Sequence, residues 1–446
     1  MAARPYAAAQ VVEKQIIQQP ADPVSAAPNH APRRRILLIA PHGSYRTAPF
    51  LQAAERRGVE VIIASEAKHS LVSAYAQGLH IDLGDSYTSL QTILREARQR
   101  PFAAVLGSDD ASAELAAAAA AELGLAHNPV DAVRRARRKD LARARLREAG
   151  VRAPCHWRLD LRHPLAPQID DVRYPCVLKP VALAASRGVI RADTSAELTQ
   201  AAARIQVLLA RAGLPAPDER ETLLIEEFIP GAEVAVEGLL THGRLEILAI
   251  FDKPDPLNGP YFEETYYITP SRWDASLQQA LRDTIAAACA AYGLREGPIH
   301  AECRINEQGV WILEVAARTI GGLCGRLLRF GTGHSLEDLV LMHALGESPA
   351  LQAEEGGAGV LMIPIPQAGI LRRVEGMLDA QRVSFIEEVI IDVREGYELV
   401  PLPEGSSYLG FIFARAASAA QAEAALRAAH ACLRVVVMPL WKAVTG

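Results

Sequence analysis

The chain has 446 residues, of which 22% are charged and 50% apolar, with 31 glycines, a globular composition long enough for several domains and not that of a disordered protein. Its 47 Lys and Arg against 52 Asp and Glu leave a formal net charge of −5, too acidic for a dedicated nucleic-acid or membrane-surface binder. Six cysteines without a CxxC pair or zinc-ligand spacing, no apolar run of about 18 residues and no secretory leader point to a reducing, cytoplasmic setting and a small-molecule partner.

Residues 1–33, rich in Ala, Pro and Gln, read as a flexible extension ending at Arg33-Arg34-Arg35. The apolar run 36–40 predicts a buried parallel strand, followed by a helix to Arg57, a second strand at 59–65 and a third at 103–107. Ser108-Asp109-Asp110 then caps an Ala-rich helix ending near Gly124. Residues 34–130 therefore form a Rossmann-like α/β unit, and its lack of a GxGxxG loop weighs against a dinucleotide site. From Arg134 to Arg147 there are eight Lys or Arg on what reads as one helix ending at Gly150, as a bare pattern a solvated basic face.

The middle of the chain is α+β with much antiparallel sheet. A strand leads through Lys179, another covers 222–228, and 234–240 with 245–251 form a hairpin around Thr241-His242-Gly243. A helix over 284–293, strands at 298–305 and 310–315 and a helix over 335–345 follow. After Gly356-Gly357, strands at 360–365, 389–393 and 410–414 with a helix over 419–431 suggest a separate C-terminal α+β module over 355–446.

The hairpin at 298–315 carries the sharpest local signal. If Asn306 pairs with Val310, the loop is Glu307-Gln308-Gly309, and Glu302 lies opposite Glu314 on one face. Two carboxylates so placed repel, unless a divalent cation such as Mg²⁺ sits between them; the alternative is a shifted register or a solvent-facing pair. His300 and Arg304 share the face of Glu302 by alternation, and Arg318 follows shortly after Glu314. Mixed carboxylates and cations suit phosphoryl transfer. Lys179 runs into a loop of small residues, 180–189, that can bring backbone N–H groups to phosphate, although the GxxxxGK[ST] order is absent.

Taken in order, Lys139, Lys179, Glu226-Glu227-Phe228-Ile229 with Glu233, Glu302, Glu314 and Arg318 resemble the ATP-grasp superfamily of carboxylate-amine ligases over residues 36–345. Phe251-Asp252-Lys253-Pro254, Phe262-Glu263-Glu264-Thr265 and the segments 359–364 and 407–412 are similar to the L-amino acid ligases of that superfamily. The resemblance implies an ATP-grasp fold of α/β and α+β parts. In it the Rossmann-like pre-domain is followed by an ATP-grasp domain of two α+β subdomains over 131–350 and by the C-terminal module.

The resemblance further implies that Lys139 and Lys179 bind the phosphates of ATP and that the loop Ser186-Arg187-Gly188 closes over them. Glu226, Glu227, Phe228 and Ile229 would hold adenine and Glu233 the ribose. Glu302 and Glu314 would hold Mg²⁺, with Mn²⁺ as a substitute, and Arg318 and Lys179 would be catalytic. His300, Glu263, Glu264 and the Gly321-Gly322 turn would wall the substrate pocket. Small-molecule carboxylate and amine substrates follow as partners, without nucleic acid or membrane, and a homodimer is compatible.

Two departures stand out: Ala316 occupies a position where the family commonly has a metal-binding Asn, and Ala184-Ala185 make the phosphate loop poorer in glycine. The implied activity is ATP-dependent amide or peptide formation through an acyl phosphate. A carboxylase or purine-pathway ligase on the same scaffold, and a nucleotide-binding regulator without catalysis, are the alternatives.

Overall fold

The computed structural model describes residues 33–66, 78–214, 216–352 and 354–440. The predicted N-terminal extension, apart from Arg33, lies outside these.

The first predicted strand forms as Arg35–Ile39, in a four-stranded parallel sheet with Gly78–His80, Glu60–Ser65 and Ala104–Gly107 in the order third, second, first, fourth. Its unbroken apolar run has a direct cause. Ile36 and Leu38 pack towards helix Thr47–Arg57 and helix Leu336–Ala344, while Leu37 and Ile39 pack towards helices Ser86–Gln99 and Asp110–Glu122. A sheet covered on both faces has no use for alternation. Asp109 is the N-cap of helix Asp110–Glu122, its carboxylate accepting from Ala111 N at 3.1 Å.

The basic stretch differs from its expected single solvated helix. It is two helices, Val130–Arg137 and Lys139–Glu148, broken at Arg138, which is extended and pairs with Asp140 and Asp218. Arg138, Lys139 and Arg143 are buried. These three meet acidic partners inside the protein, whereas Arg134, Arg145 and Arg147 remain exposed, as a solvated face would have them.

A small antiparallel sheet of His156–Asp160, Thr222–Glu227, Cys176–Pro180 and Ile190–Ala192, in that spatial order, is covered by helix Ser195–Arg211. The largest sheet has eight strands: Gly309–Ala316, Gly297–Asn306, Ala232–Thr241, Arg244–Lys253, Tyr266–Thr269, Gly357–Ile363, Gly410–Ala416 and Ile386–Ile391 in spatial order. Helix Ala275–Tyr292 packs on its first strands and helix Ala419–Cys432 on its last.

That sheet runs through the expected boundary near residue 350. Strand Tyr266–Thr269 pairs with Gly357–Ile363, and the described residues from Arg34 onward form one compact unit. The C-terminal segment thus extends the central sheet and also adds a three-stranded sheet of its own from Glu398–Leu399, Gly369–Glu375 and Arg434–Met438. Among the described residues no helix is long and apolar enough to cross a membrane.

Candidate active site

A cavity of about 850 Å³ lies where the parallel sheet, the small antiparallel sheet and the eight-stranded sheet converge. Of the expected residues, Lys139, Lys179, Ser186, Glu226 to Ile229, Glu233, Glu264, His300, Glu302, Glu314, Arg318, Gly321 and Gly322 border it; Glu263, Arg187 and Gly188 do not.

Lys179, on strand Cys176–Pro180, reaches Glu226 at 2.7 Å, and Arg143 meets the same carboxylate at 2.7 Å. Burial alone would raise the Glu226 pKa, but the two cations more than offset it and bring it to about 2. Glu226 is thus a buried counter-ion, and it borders the cavity together with Glu227, Phe228 and Ile229, the stretch expected at adenine.

The break at Arg138 puts Lys139 at a helix start, where its Nζ donates to Leu183 O at 2.8 Å and stands 3.3 Å from Glu314. The loop it touches contains Ala185 and Ser186 at φ 56° and 53°. Left-handed backbone at residues with a Cβ costs about 1–2 kcal/mol each, so surrounding contacts must hold the loop. They come from the C-terminal segment: Gly188 N donates to Pro403 O at 2.8 Å, and Arg187 Nε to Glu404 O at 3.0 Å. Of the loop Ser186-Arg187-Gly188 expected to close over phosphate, Ser186 borders the cavity, while Arg187 and Gly188 moor the loop to the C-terminal segment.

Across the cavity, Glu302 does lie opposite Glu314. The route differs from the one expected: Asn306 pairs with Gly309, leaving a two-residue loop, and a bulge at Leu313 restores the Glu302 to Glu314 pairing. The carbonyl of the extra residue accepts from Arg143. Ala316 pairs with His300 and is buried.

Glu233, Glu264 and Glu302 bring carboxylate oxygens within 4.8 Å of one another. The Lys253 ammonium sits among them, 2.8 Å from Glu233, bonded to Glu264 and 3.6 Å from Glu302. Arg304 adds a second cation at 3.0 Å from Glu233. The carboxylate expected at ribose is therefore held by two cations. Burial and the neighbouring Glu302 raise the Glu264 pKa, whereas burial of Glu302 is overcome by Lys253 and His300, which hold it well below the usual range. Burial would lower the His300 pKa, but Glu237 and Glu302 lift it to about 9.

Arg318 Nε donates to Asp110 at 2.8 Å, linking the cavity to the first turn of the helix that Asp109 caps. Glu263 does not border the cavity. Sequence reasoning missed Arg143, Lys253, Asp110, Tyr45 and Arg46. Lys253 lies in the segment Phe251-Asp252-Lys253-Pro254 and Asp110 in the predicted cap Ser108-Asp109-Asp110, but Arg143 looks like one more surface charge.

Comparison with known proteins adds three domain matches in order. The ATP-grasp N-terminal domain matches residues 51–127, the ATP-grasp domain 172–326, and the L-amino acid ligase C-terminal domain 2 residues 361–438. Dapdiamide A synthase of Enterobacter agglomerans is 29% identical over 163 residues, 36% of this chain and 37% of that protein. Alanine–anticapsin ligase of Bacillus subtilis (strain 168) is 27% identical over 221 residues, 46% of each. The matched segments thus span less than half the length of these curated relatives. The crystal structure of an L-amino acid ligase from Bacillus licheniformis superimposes with a TM-score of 0.76 at 25% identity, covering 92% of this chain and 100% of that one. Ordered domain matches and a superposition over most of its length show that the chain belongs to the ATP-grasp superfamily and is similar there to the L-amino acid ligases.

Proposed function

We propose that the protein is an ATP-dependent carboxylate-amine ligase that forms an amide or peptide bond from amino-acid substrates. The observation that carries this reading is the arrangement of Arg318, Lys139 and Lys179 around one cavity with the facing pair Glu302 and Glu314. Such a set can steady a polyphosphate and a developing oxyanion together.

The reaction follows from that placement. A substrate carboxylate oxygen attacks the γ-phosphorus, the bond to the β-phosphate oxygen breaks, and ADP leaves. The amine nitrogen then attacks the acyl carbon of the acyl phosphate, a proton leaves the nitrogen, and phosphate departs with its bonding electron pair. Lys139 and Lys179 hold phosphate oxygens, and Arg318 faces the oxygen that becomes negative when the amine adds. Most of the rate gain would come from positioning and charge, not from a covalent enzyme intermediate.

Mg²⁺, with Mn²⁺ as a substitute, fits Glu302 and Glu314. Both border the cavity and keep about a quarter of the side chain exposed, at 24% and 27%, and their cations stand off, Lys253 at 3.6 Å and Lys139 at 3.3 Å, whereas Lys253 holds Glu233 at 2.8 Å and is bonded to Glu264. When bound, the ion would neutralise phosphate oxygens. With Ala316 buried opposite His300, the remaining ligands must come from phosphate and water.

The test is release of ADP and phosphate from ATP with pairs of common amino acids, with mass detection of the product. One dipeptide per ADP is the expected result. Turnover that needs bicarbonate instead of an amine would favour a carboxylase, and ATP binding without turnover in any combination would favour a regulator.

A further inference from the structure

The ligase reading, on which this inference rests, requires a seat for the substrate that supplies the amine. Arg46 has the properties of one. It is only 8% exposed, yet its hydrogen bonds go to neutral carbonyls: Nη1 donates to Ser108 O at 2.8 Å, and Nη2 to Ile320 O at 2.7 Å and Thr319 O at 3.3 Å. No carboxylate among the described residues forms an ion pair with it. A guanidinium has five N–H donors, so the three carbonyls leave donors over; its charge reaches Asp110 and Glu337 through space, but neither carboxylate is in contact with it.

The space in front of Arg46 is open by construction. A Cβ at Gly321 would stand 3.9 Å from Arg46 Nη2 and 3.9 Å from Tyr45 Oη; glycine keeps that volume free. Tyr45 Oη accepts a hydrogen bond from Gly322 N at 2.6 Å, which leaves its own O–H to donate. Arg46 borders both the large cavity and a recess of about 390 Å³ on the other side of the Gly321-Gly322 turn. A planar fork and a phenol donor beside a gap suit a carboxylate.

We propose that Arg46, with Tyr45 Oη, binds the carboxylate of the amine-supplying substrate, so that this substrate is a free amino acid and not a simple amine or an amino-acid amide. The carboxylate to be phosphorylated belongs with the lysines and Arg318. Arg46 holds the turn one and two residues beyond Arg318, at Thr319 and Ile320, so the two anionic ends find separate cations side by side. A second carboxylate on the amine is the partner that satisfies Arg46.

The experiment compares kcat/KM for the amine-supplying amino acid and for its carboxamide, in the full chain with ATP, Mg²⁺ and saturating carboxylate substrate. The wild type is expected to prefer the acid strongly. Arg46→Met should lower the acid by about 30-fold or more and the amide by less than about threefold, as expected for a lost charge-assisted bond, with KM for ATP unchanged. Arg46→Lys should retain part of the preference, and Tyr45→Phe should lower it by about fivefold.

Equal wild-type rates for acid and amide overturn the proposal. So does a parallel loss of both in Arg46→Met, which marks a purely structural clip of the 319–322 turn. If Arg46→Met does not fold, an unchanged acid-to-amide ratio in both Arg46→Lys and Tyr45→Phe overturns it. Absence of ADP release by the wild type with every pair sinks the ligase reading and this site with it, whereas turnover with an unaltered ratio sinks this site alone.

Discussion

Two groups of cations border the same cavity and the chain treats them differently. Lys179, Lys139 and Arg318 each face a carboxylate, from Glu226, Glu314 and Asp110 respectively, and Lys253, which does not itself line the cavity, faces Glu233. Arg46 rests on three backbone carbonyls. The first group is neutralised and held in place before any ligand arrives, which is how a site stays preorganised for a polyanion without collapsing its own charge. The second makes no ion pair among the described residues, although its charge reaches Asp110 and Glu337, and it keeps N–H donors free for a ligand.

The sharpest way to break this comparison is at Arg318. Arg318→Ala should lower kcat for ATP turnover by about 10³-fold, or about 4 kcal/mol in barrier; steady-state ADP release with an amino-acid pair measures it. Retention of more than about a tenth of the rate would remove Arg318 from the reaction.

Next comes the buried counter-ion. Glu226→Gln leaves Arg143 and Lys179 without their carboxylate and should cost about 3 kcal/mol of stability, read by denaturant unfolding. The sign of its pH dependence follows from the folded pKa of about 2, below the ordinary 4.5. The Glu226 contribution is fully present above the ordinary value and is lost as pH falls toward the folded one. The stability gap between wild type and variant should close over that window, and a gap that widens there would contradict the pairing.

A smaller effect is expected at Lys253, because Glu233 retains Arg304. Lys253→Met should cost about 2 kcal/mol and make the melting temperature rise with added Mg²⁺ in the absence of nucleotide, as three carboxylates seek another cation. A melting temperature indifferent to Mg²⁺ would show that Lys253 does not stand in for a cation there.

The smallest concerns the mooring of the phosphate loop. Arg204 on helix Ser195–Arg211 pairs with Glu404, Nη2 to Oε2 at 2.8 Å, and both side chains are exposed. Glu404→Ala should change stability by less than about 1 kcal/mol and raise KM for ATP modestly, since Pro403 O and Glu404 O still hold Gly188 and Arg187. A rise of tenfold or more would mean that this ion pair, and not the backbone contacts, holds the loop.

Much of the site was legible because its signals are local. The facing of Glu302 and Glu314 follows from hairpin alternation, and the order of Lys139, Lys179, Glu226, Glu302, Glu314 and Arg318 carries the superfamily resemblance. The loop length was wrong, and the correct pairing survived only because the bulge at Leu313 compensated a one-residue shift. Bulges depend on what receives the displaced carbonyl, here Arg143 from a helix 170 positions away. The basic stretch misled in part for the same reason: of its eight charges, Arg138, Lys139 and Arg143 look as solvated as the rest until Asp218, Glu314 and Glu226 arrive from other segments.

By itself the sequence determined the strands and helices with strong period, the cap at Asp109, the two facing glutamates and the family, all properties of residues near one another in the chain. Only the tertiary structure decided that Glu226 and Glu233 meet buried cations, that Arg318 answers to Asp110 across 208 positions, that the C-terminal strands continue the central sheet, and that Arg46 rests on backbone carbonyls. Each of these depends on burial and on which charge meets which, and a charge has no assigned partner until the chain has closed around it.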